Sequence, residues 1–104
     1  MKKAKTFTAL IYMAGDFQIA KHICREFCKS GMCVTIEPLD FIYTGGEETG
    51  FRVGLINYPK FPAKQSEIKL KARLLATKLR QGLFQDSYTI VYSDETVWDS
   101  YRDE

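Results

Sequence analysis

Hydrophobic and polar residues alternate from about position 6 to position 14, which predicts a first β-strand. From Phe17 to about Ser30 the apolar residues instead recur at i, i+3, i+4 and i+7, the spacing of one face of a helix. Asp16 stands where an N-cap is needed, and Gly31 follows where the helix has to end. The chain is therefore predicted to begin with a strand followed by an amphipathic helix.

The same helical spacing returns over Gln65–Leu83, where one apolar stripe runs along an otherwise polar segment. The stripe consists of Ile68, Ala72, Leu75 and Leu79. The other positions are rich in lysine and arginine, and we expect them to form a solvated surface. Ser87–Ser93 is predicted to be the fourth strand, Asp94–Glu95 a tight turn and Val97–Arg102 a short fifth strand.

Between the two helices the pattern predicts two strands joined by a glycine-rich turn. The second strand is predicted from Cys33 to Glu37 and again from about Phe41 to Thr44. Pro38 interrupts it, because proline within a sheet is confined to bulges and edge strands. The turn is assigned to residues 45–48 and the third strand to about Thr49–Asn57.

The order β-α-β-β-α-β with an extra C-terminal hairpin strand predicts an α+β protein with a ferredoxin-like sandwich. Two helices would cover one face of an antiparallel sheet, with the first and third strands at its centre. The uncovered face would carry Leu10, Tyr12 and Ile56, joined by Ile42 or, with the other strand parity around Pro38, by Phe41 and Tyr43. An apolar face of this kind favours a homo-oligomer, a dimer or higher.

Composition and charge argue against two classes of protein, those that bind nucleic acid and those that span a membrane. The chain has 104 residues, 45% of them hydrophobic, and a formal net charge of +2. Its length predicts a single domain, residues 1–104. A near-neutral charge is unlike the basic excess of nucleic-acid-binding proteins, and no apolar run approaches the roughly 20 residues that span a bilayer. The basic start is followed by strand-like alternation and not by a cleavage site, which predicts a cytoplasmic protein.

The cysteines Cys24, Cys28 and Cys33 are odd in number, and His22 lies beside them in the sequence. A spacing of four on a helix suits a metal site, but it also describes two neighbouring core side chains. No second pair with the spacing of metal ligands occurs. We therefore expect structural thiols, with no metal, no cofactor and no catalytic residue.

The strongest candidates for ligand binding cluster around the end of the third strand and are Arg52, Asn57, Tyr58 and Phe61. Arginine offers a forked donor to phosphate, asparagine can bind purine or ribose edges, and an aromatic ring can stack on a base. Arg52 is predicted to clamp phosphates together with Arg25 or Arg102. The set would suit a small nucleotide.

A structural role for the same residues remains open. Tyr58 and Phe61 could fill the core between the sheet and the second helix. Asn57 could satisfy the backbone around Pro59 instead of binding a ligand.

Other polar features favour structure over chemistry. The adjacent acids Glu47–Glu48 and Asp94–Glu95 are predicted to be solvated turn tips and not general acid–base pairs. Thr44–Gly46 is predicted to be a tight turn and not an anion-binding nest. Val53 stands where an RNA-recognition motif needs a stacking aromatic residue, so that platform is largely missing.

Five fragments resemble those of small, phage-encoded accessory proteins that counter host defence. They are Cys24-Arg-Glu-Phe-Cys28, Cys33-Val-Thr35, Tyr43-Thr-Gly-Gly-Glu47, Gly54-Leu-Ile-Asn-Tyr-Pro-Lys-Phe-Pro62 and Thr96-Val-Trp98. Within that group the chain is most similar to the anti-Thoeris sponge family, and the resemblance covers most of its length.

The resemblance implies a non-enzymatic protein that binds and sequesters a small cyclic nucleotide of the ADP-ribose type. It also implies assembly from dimers, with arginines, an asparagine and an aromatic residue at the dimer interface. Two alternatives remain open. One is a protein-binding inhibitor of a host defence complex, of the anti-CRISPR or anti-restriction type, that acts through the exposed sheet face or the acidic tip at Glu47–Glu48. The other is a small enzyme of unknown chemistry.

Overall fold

The computed structural model describes residues 1–102 as five strands and two α-helices. In chain order the elements are β1 (Thr8–Ala14), α1 (Phe17–Phe27) with a 3₁₀ turn (Cys28–Ser30), β2 (Thr35–Tyr43), β3 (Gly46–Ile56), α2 (Gln65–Gly82), β4 (Ser87–Tyr92) and β5 (Thr96–Ser100). No helix among these residues is long and apolar enough to cross a membrane.

The strands form one antiparallel sheet in the order β2-β3-β1-β4-β5. β1 and β3 occupy the interior of the sheet, as the sequence predicts, and β5 extends it beyond β4. The protein is therefore a small α+β protein with a five-stranded sheet and two helices.

Both helices pack on the same face of the sheet, and the hydrophobic core lies between them. Every second residue of β1 is buried there, namely Ala9, Ile11 and Met13. The predicted stripe of α2 is confirmed, because all four of its residues are buried in the same core. At Gly82 the helices come so close that an added Cβ would lie 2.6 Å from Ile23 Cδ1.

The ends of α1 follow the sequence signals. The Asp16 side chain accepts a hydrogen bond from the Ile19 backbone N–H at 2.9 Å, which confirms the N-cap. Gly31 ends the 3₁₀ turn with a φ of 103°, a left-handed conformation that favours glycine.

The predicted interruption of the second strand is wrong. β2 runs unbroken through Pro38, which pairs in register with Phe51. A proline is tolerated there because β2 is an edge strand with a partner on one side only. The turn is also shorter than predicted: Tyr43 pairs with Gly46, and Gly45 has a φ of 87°. Glu47 and Glu48 consequently lie within β3 and not in the turn.

The face of the sheet away from the helices, here called the open face, carries a mixture of apolar, aromatic and charged side chains. The register places Phe41 and Tyr43 on it, and it places Ile42 on the other side, which settles the parity that the sequence left open. Leu10, Tyr12 and Ile56 share the open face, as predicted. Trp98 of β5 also lies on it and is 53% exposed.

Glycine occupies alternate open-face positions of β3, at Gly46, Gly50 and Gly54. A Cβ at Gly50 would lie 2.5 Å from both the Phe41 ring and the Met13 carbonyl oxygen. A Cβ at Gly54 would lie 2.6 Å from Thr35 Oγ1. Side chains of β2 therefore fill the space that these glycines leave empty.

A buried arginine joins α2 to the outer strand of the sheet. Arg80 is 6% exposed, and its Nη1 donates to Asp99 of β5 at 2.7 Å. The guanidinium also lies over the rings of Tyr88 and Tyr101, at 4.7 and 3.9 Å. These contacts hold β5, which has only β4 as a strand neighbour, against the helical layer.

We predict that Gly50→Ala destabilises the protein. An alanine in an unstrained strand position would stabilise by restricting the unfolded chain. Here its Cβ would clash with a backbone carbonyl that cannot move aside, and overpacking of this kind costs about 1–3 kcal/mol. Urea unfolding followed by circular dichroism measures the change.

Gly54→Ala is the matched control, because its clash is with the Thr35 side chain. Thr35→Ala should restore much of the stability lost in Gly54→Ala and none of that lost in Gly50→Ala. An unchanged urea midpoint for Gly50→Ala would contradict the close packing described above.

Candidate functional site

The chain segment after β3 forms the wall of a cavity, here called the exit cavity, of about 500 Å³. Three of the predicted ligand-binding residues, Asn57, Tyr58 and Phe61, lie together along it. The other lining residues are Gly31, Met32, Cys33, Leu55, Ile56, Ala63, Ile68 and Lys71. Among the residues that the structure describes, the lining is mostly apolar and Lys71 is its one charged member.

Both polar atoms of the Asn57 side-chain amide form hydrogen bonds within the chain. Its Nδ2 donates to the Lys5 carbonyl, and its Oδ1 accepts from the Ala63 backbone N–H, both at 2.8 Å. Its own backbone N–H donates to the Phe7 carbonyl at 3.0 Å. These bonds match the structural role that the sequence left open, in which Asn57 fixes the backbone around Pro59.

Tyr58 and Phe61 differ in their surroundings. The Tyr58 hydroxyl lies 3.4 Å from the Cys33 sulfur, and this hydrogen bond is the main cause that raises the pKa of Tyr58. Phe61 is 74% exposed at the edge of the cavity, with the Lys60 ammonium 5.5 Å from its ring centre. Phe61 therefore does not fill the core.

Arg52 lies on the open face of β3 and not in the exit cavity. Its Nε donates to Glu37 Oε1 at 2.9 Å, and its Nη2 contacts the same oxygen. Its Nη1 donates to the Tyr12 hydroxyl at 3.2 Å, so a polar network crosses β2, β3 and β1. The hydrogen bonds to Tyr12 and Glu37 raise the pKa of Arg52, which stays a cation.

The predicted phosphate clamp is not assembled within one chain. Arg25 belongs to α1, on the opposite side of the sheet from Arg52. Arg102 follows β5 at the far edge and pairs with Asp86 at 2.7 Å. Neither residue shares a concave surface with Arg52.

A second concave surface, here called the open-face groove, measures about 190 Å³ and lies where β1 and β4 part. Their pairing stops at Tyr12 and Thr89, whereas β1 continues to pair with β3 as far as Ala14. The lining residues are Tyr12, Met13, Ala14, Phe41, Glu48, Gln85, Ser87, Tyr88 and Thr89.

Within residues 1–102, Glu48 is the one charged residue that lines the open-face groove. It makes no ion pair or side-chain hydrogen bond with any residue in the described range 1–102. Glu47, its neighbour, points to the other side of the sheet. A carboxylate beside the rings of Tyr12 and Phe41 can bind a cation through charge and through the ring faces.

Sequence reasoning missed Glu48 because it placed the residue in a solvated turn. The alternation of glycine with Glu48 and Arg52 along β3 was the available signal. Three glycines at a spacing of four mark one face of a strand, and the two charged residues between them share that face.

The cysteines do not form a metal site among residues 1–102, where no group of three or more potential ligands is placed to hold an ion. Cys24 is buried, and burial raises the pKa of its thiol to about 12. Burial also raises the pKa of Cys28. Cys33 is exposed at the exit cavity beside Tyr58.

Comparison with known proteins identifies two solved structures with a similar fold. No protein-family model matches the chain, and no curated protein matches it by sequence. A solved structure of a phage SAM lyase in complex with S-methyl-5'-thioadenosine matches with a TM-score of 0.76 at 12% identity, over 99% of this chain and 97% of that one. A phage SAM lyase in the apo state matches with a TM-score of 0.71 at 15% identity, over 100% and 98%.

These matches overturn two predictions from the sequence. The non-enzymatic sponge for a cyclic nucleotide is wrong, and so is the expectation that the protein is not an enzyme. The two solved structures that match this chain over nearly their whole length are both of phage SAM lyases, which are enzymes. The alternative of a small enzyme agrees better with this finding. The matches carry no information on the anti-Thoeris family.

We predict that iodoacetamide at pH 8 modifies the folded protein first at Cys33, more slowly at Cys28 and slowest at Cys24. The thiolate is the reactive form, and a pKa of about 12 leaves almost no thiolate at Cys24 at that pH. Peptide mass spectrometry over time gives the order.

In urea the three cysteines should react at similar rates, because the burial that distinguishes them is lost. Equal rates for Cys24 and Cys33 in the folded protein would contradict the burial of Cys24.

Proposed function

We propose that this protein is an enzyme that cleaves S-adenosylmethionine (SAM) and releases S-methyl-5'-thioadenosine. The observation that carries the proposal is the match in fold over 97–98% of the lyase chains. The lyase thus has no additional domain that this chain lacks. One of the two matching lyases holds S-methyl-5'-thioadenosine, the thioether that remains when SAM loses its aminobutyryl group.

The reaction needs few groups from the protein. One bond from the sulfonium sulfur to carbon breaks, and its electron pair goes to sulfur, which becomes a neutral thioether. The carbon fragment regains a pair either from its own carboxylate, which closes a lactone, or from a neighbouring C–H bond, whose proton a base accepts. Neither route needs an oxidant, a reductant or water. Both begin from a sulfonium cation, so a site for this reaction has to bind positive charge.

The open-face groove suits that requirement better than the exit cavity does. Glu48 offers a carboxylate that has no partner among residues 1–102, next to the rings of Tyr12 and Phe41. The exit cavity has Lys71 as its one charged residue, and its positive charge would repel a sulfonium. Arg52, on the same face as Glu48, is the proposed partner for the carboxylate of the substrate, in exchange for Glu37.

We propose further that the enzyme is a homo-oligomer joined through the open face. A groove of about 190 Å³ is smaller than the roughly 300–1,000 Å³ of ordinary ligand pockets, so a second copy would complete it. The uncovered side chains of Leu10, Phe41, Tyr43 and Trp98 give the face the aromatic and apolar character of an interface. The strand order supports the proposal of a ferredoxin-like fold with one added strand. The phage source of the matching lyases supports the proposal that this protein also comes from a phage and acts in the host cytoplasm.

We predict that the purified protein converts SAM to S-methyl-5'-thioadenosine and that Glu48→Gln lowers kcat/KM by about 10- to 100-fold. The physical reason is that an interaction with a charged partner contributes about 1.5–3 kcal/mol. Liquid chromatography of the products measures the rate, and mass spectrometry of the second product shows whether it is a lactone or an alkene.

Glu47→Gln is the matched control. It makes the same change of charge one residue away, on the opposite side of β3, and should leave the rate within about twofold. The absence of any thioether product from the unaltered protein would refute the proposed function. Equal rates for the two variants would refute the role of Glu48 and leave the function standing.

We predict that Leu10→Glu shifts the assembly toward monomer without unfolding it. Leu10 lies on the central strand of the open face, and a buried unpaired charge at an interface is strongly unfavourable. Sedimentation velocity measures the shift. Leu70→Glu on the outer surface of α2, where Leu70 is 53% exposed, is the control and should leave the assembly unchanged. A monomeric unaltered protein would contradict the proposed assembly.

A further inference from the structure

The exit cavity lies at the opposite end of β3 from the open-face groove. Ile56 lines the first and Glu48 the second, and eight residues of strand separate them by roughly 26 Å. We propose that the exit cavity is a separate binding site for a small amphiphilic anion, which has an aromatic or aliphatic body and one carboxylate, sulfonate or phosphate group.

The size and lining of the exit cavity favour a ligand with an apolar body. Its volume of about 500 Å³ falls within the range of small-molecule sites, roughly 300–1,000 Å³. Leu55 and Ile68 form its buried floor, and Phe61 forms an exposed apolar edge, at 74%. An occupant that covers this surface gains about 25 cal/mol for each Å² of apolar area removed from water.

The backbone that carries Phe61 is held in place by hydrogen bonds on either side of it. Its backbone N–H donates to the Tyr58 carbonyl at 2.9 Å, and Pro59 lies within the resulting turn. The Asn57 side chain closes the loop by accepting from Ala63 at 2.8 Å. A wall that is already ordered requires little loss of conformational entropy when a ligand binds.

The charge of the cavity selects an anion. Lys71 is its one charged lining residue, and no carboxylate within residues 1–102 is at ion-pair distance from it. Tyr58 and Cys33 add a hydroxyl and a thiol to the same wall. The side chain of Lys71 can therefore bind an anionic group while the body of the ligand contacts Phe61.

The probe for the test is 8-anilinonaphthalene-1-sulfonate, an aromatic body with one sulfonate. We expect one molecule to bind per chain with enhanced, saturable fluorescence. Phe61→Ala and Lys71→Gln should each weaken binding about 3- to 10-fold, which corresponds to losing roughly 0.7–1.4 kcal/mol of contact. Neutral N-phenyl-1-naphthylamine, which lacks the sulfonate, should bind several-fold more weakly, and Lys71→Gln should not affect it.

Two variants serve as controls outside the cavity. Phe84→Ala removes an aromatic ring that is 92% exposed, and Lys78→Gln removes a charge from the exposed surface of α2. Neither should change binding of the probe. Because the probe also binds partly folded states, near-ultraviolet circular dichroism must be the same for every variant.

Binding unaffected by both Phe61→Ala and Lys71→Gln would overturn the proposal. Equal affinity for the sulfonate and its neutral counterpart would overturn the anionic class of the ligand. Binding that is lost in Leu10→Glu but kept in both cavity variants would assign the probe to the open face instead. None of these outcomes depends on whether the protein cleaves SAM.

Discussion

The close packing of β1 and β2 against β3 depends on the glycines that alternate along the open face of β3. Gly50 has no room for a Cβ, because the Met13 carbonyl and the Phe41 ring occupy that space. The ring of Phe41 therefore lies across β3 and helps to form the groove beside Ala14. Arg52 and Glu48 stand in the intervals between glycines, which keeps their long side chains apart and accessible.

The two faces of the sheet differ in composition and in the contacts that they make. One face is covered by both helices, and the alternating residues of β1 and β3 complete a dry core there. The other face combines aromatic rings with the Glu37–Arg52–Tyr12 network and with Glu48, whose carboxylate has no partner in the described part of the chain. Stability therefore resides mainly in the first face, which leaves the second free to carry binding chemistry and contacts between copies.

Much of the fold could be predicted from periodicity, capping residues and the proline at an edge strand. The bounds of the β2–β3 hairpin were harder to predict. Pro38 and the residues 45–48 are typical of strand breaks when only the local sequence is considered. The pairing of Pro38 with Phe51 depends on tertiary structure, which overrides these local preferences. The grouping of Asn57, Tyr58 and Phe61 at the end of the third strand was predicted from sequence, but the hydrogen bonds that occupy Asn57 depend on the distant Lys5. Catalytic function could not be derived, since the proposed groove draws on four strands and, in the proposed assembly, on a second copy.

Pro38 has a consequence for how this protein behaves at high concentration. A sheet with two free edges can recruit further strands and grow into fibres. The edge formed by β2 lacks a backbone donor at Pro38, and the edge formed by β5 is only five residues long. Growth by strand addition is therefore disfavoured at both ends of the sheet. In the proposed assembly, copies that meet through the apolar open face would form a closed assembly of fixed copy number and not an open-ended aggregate.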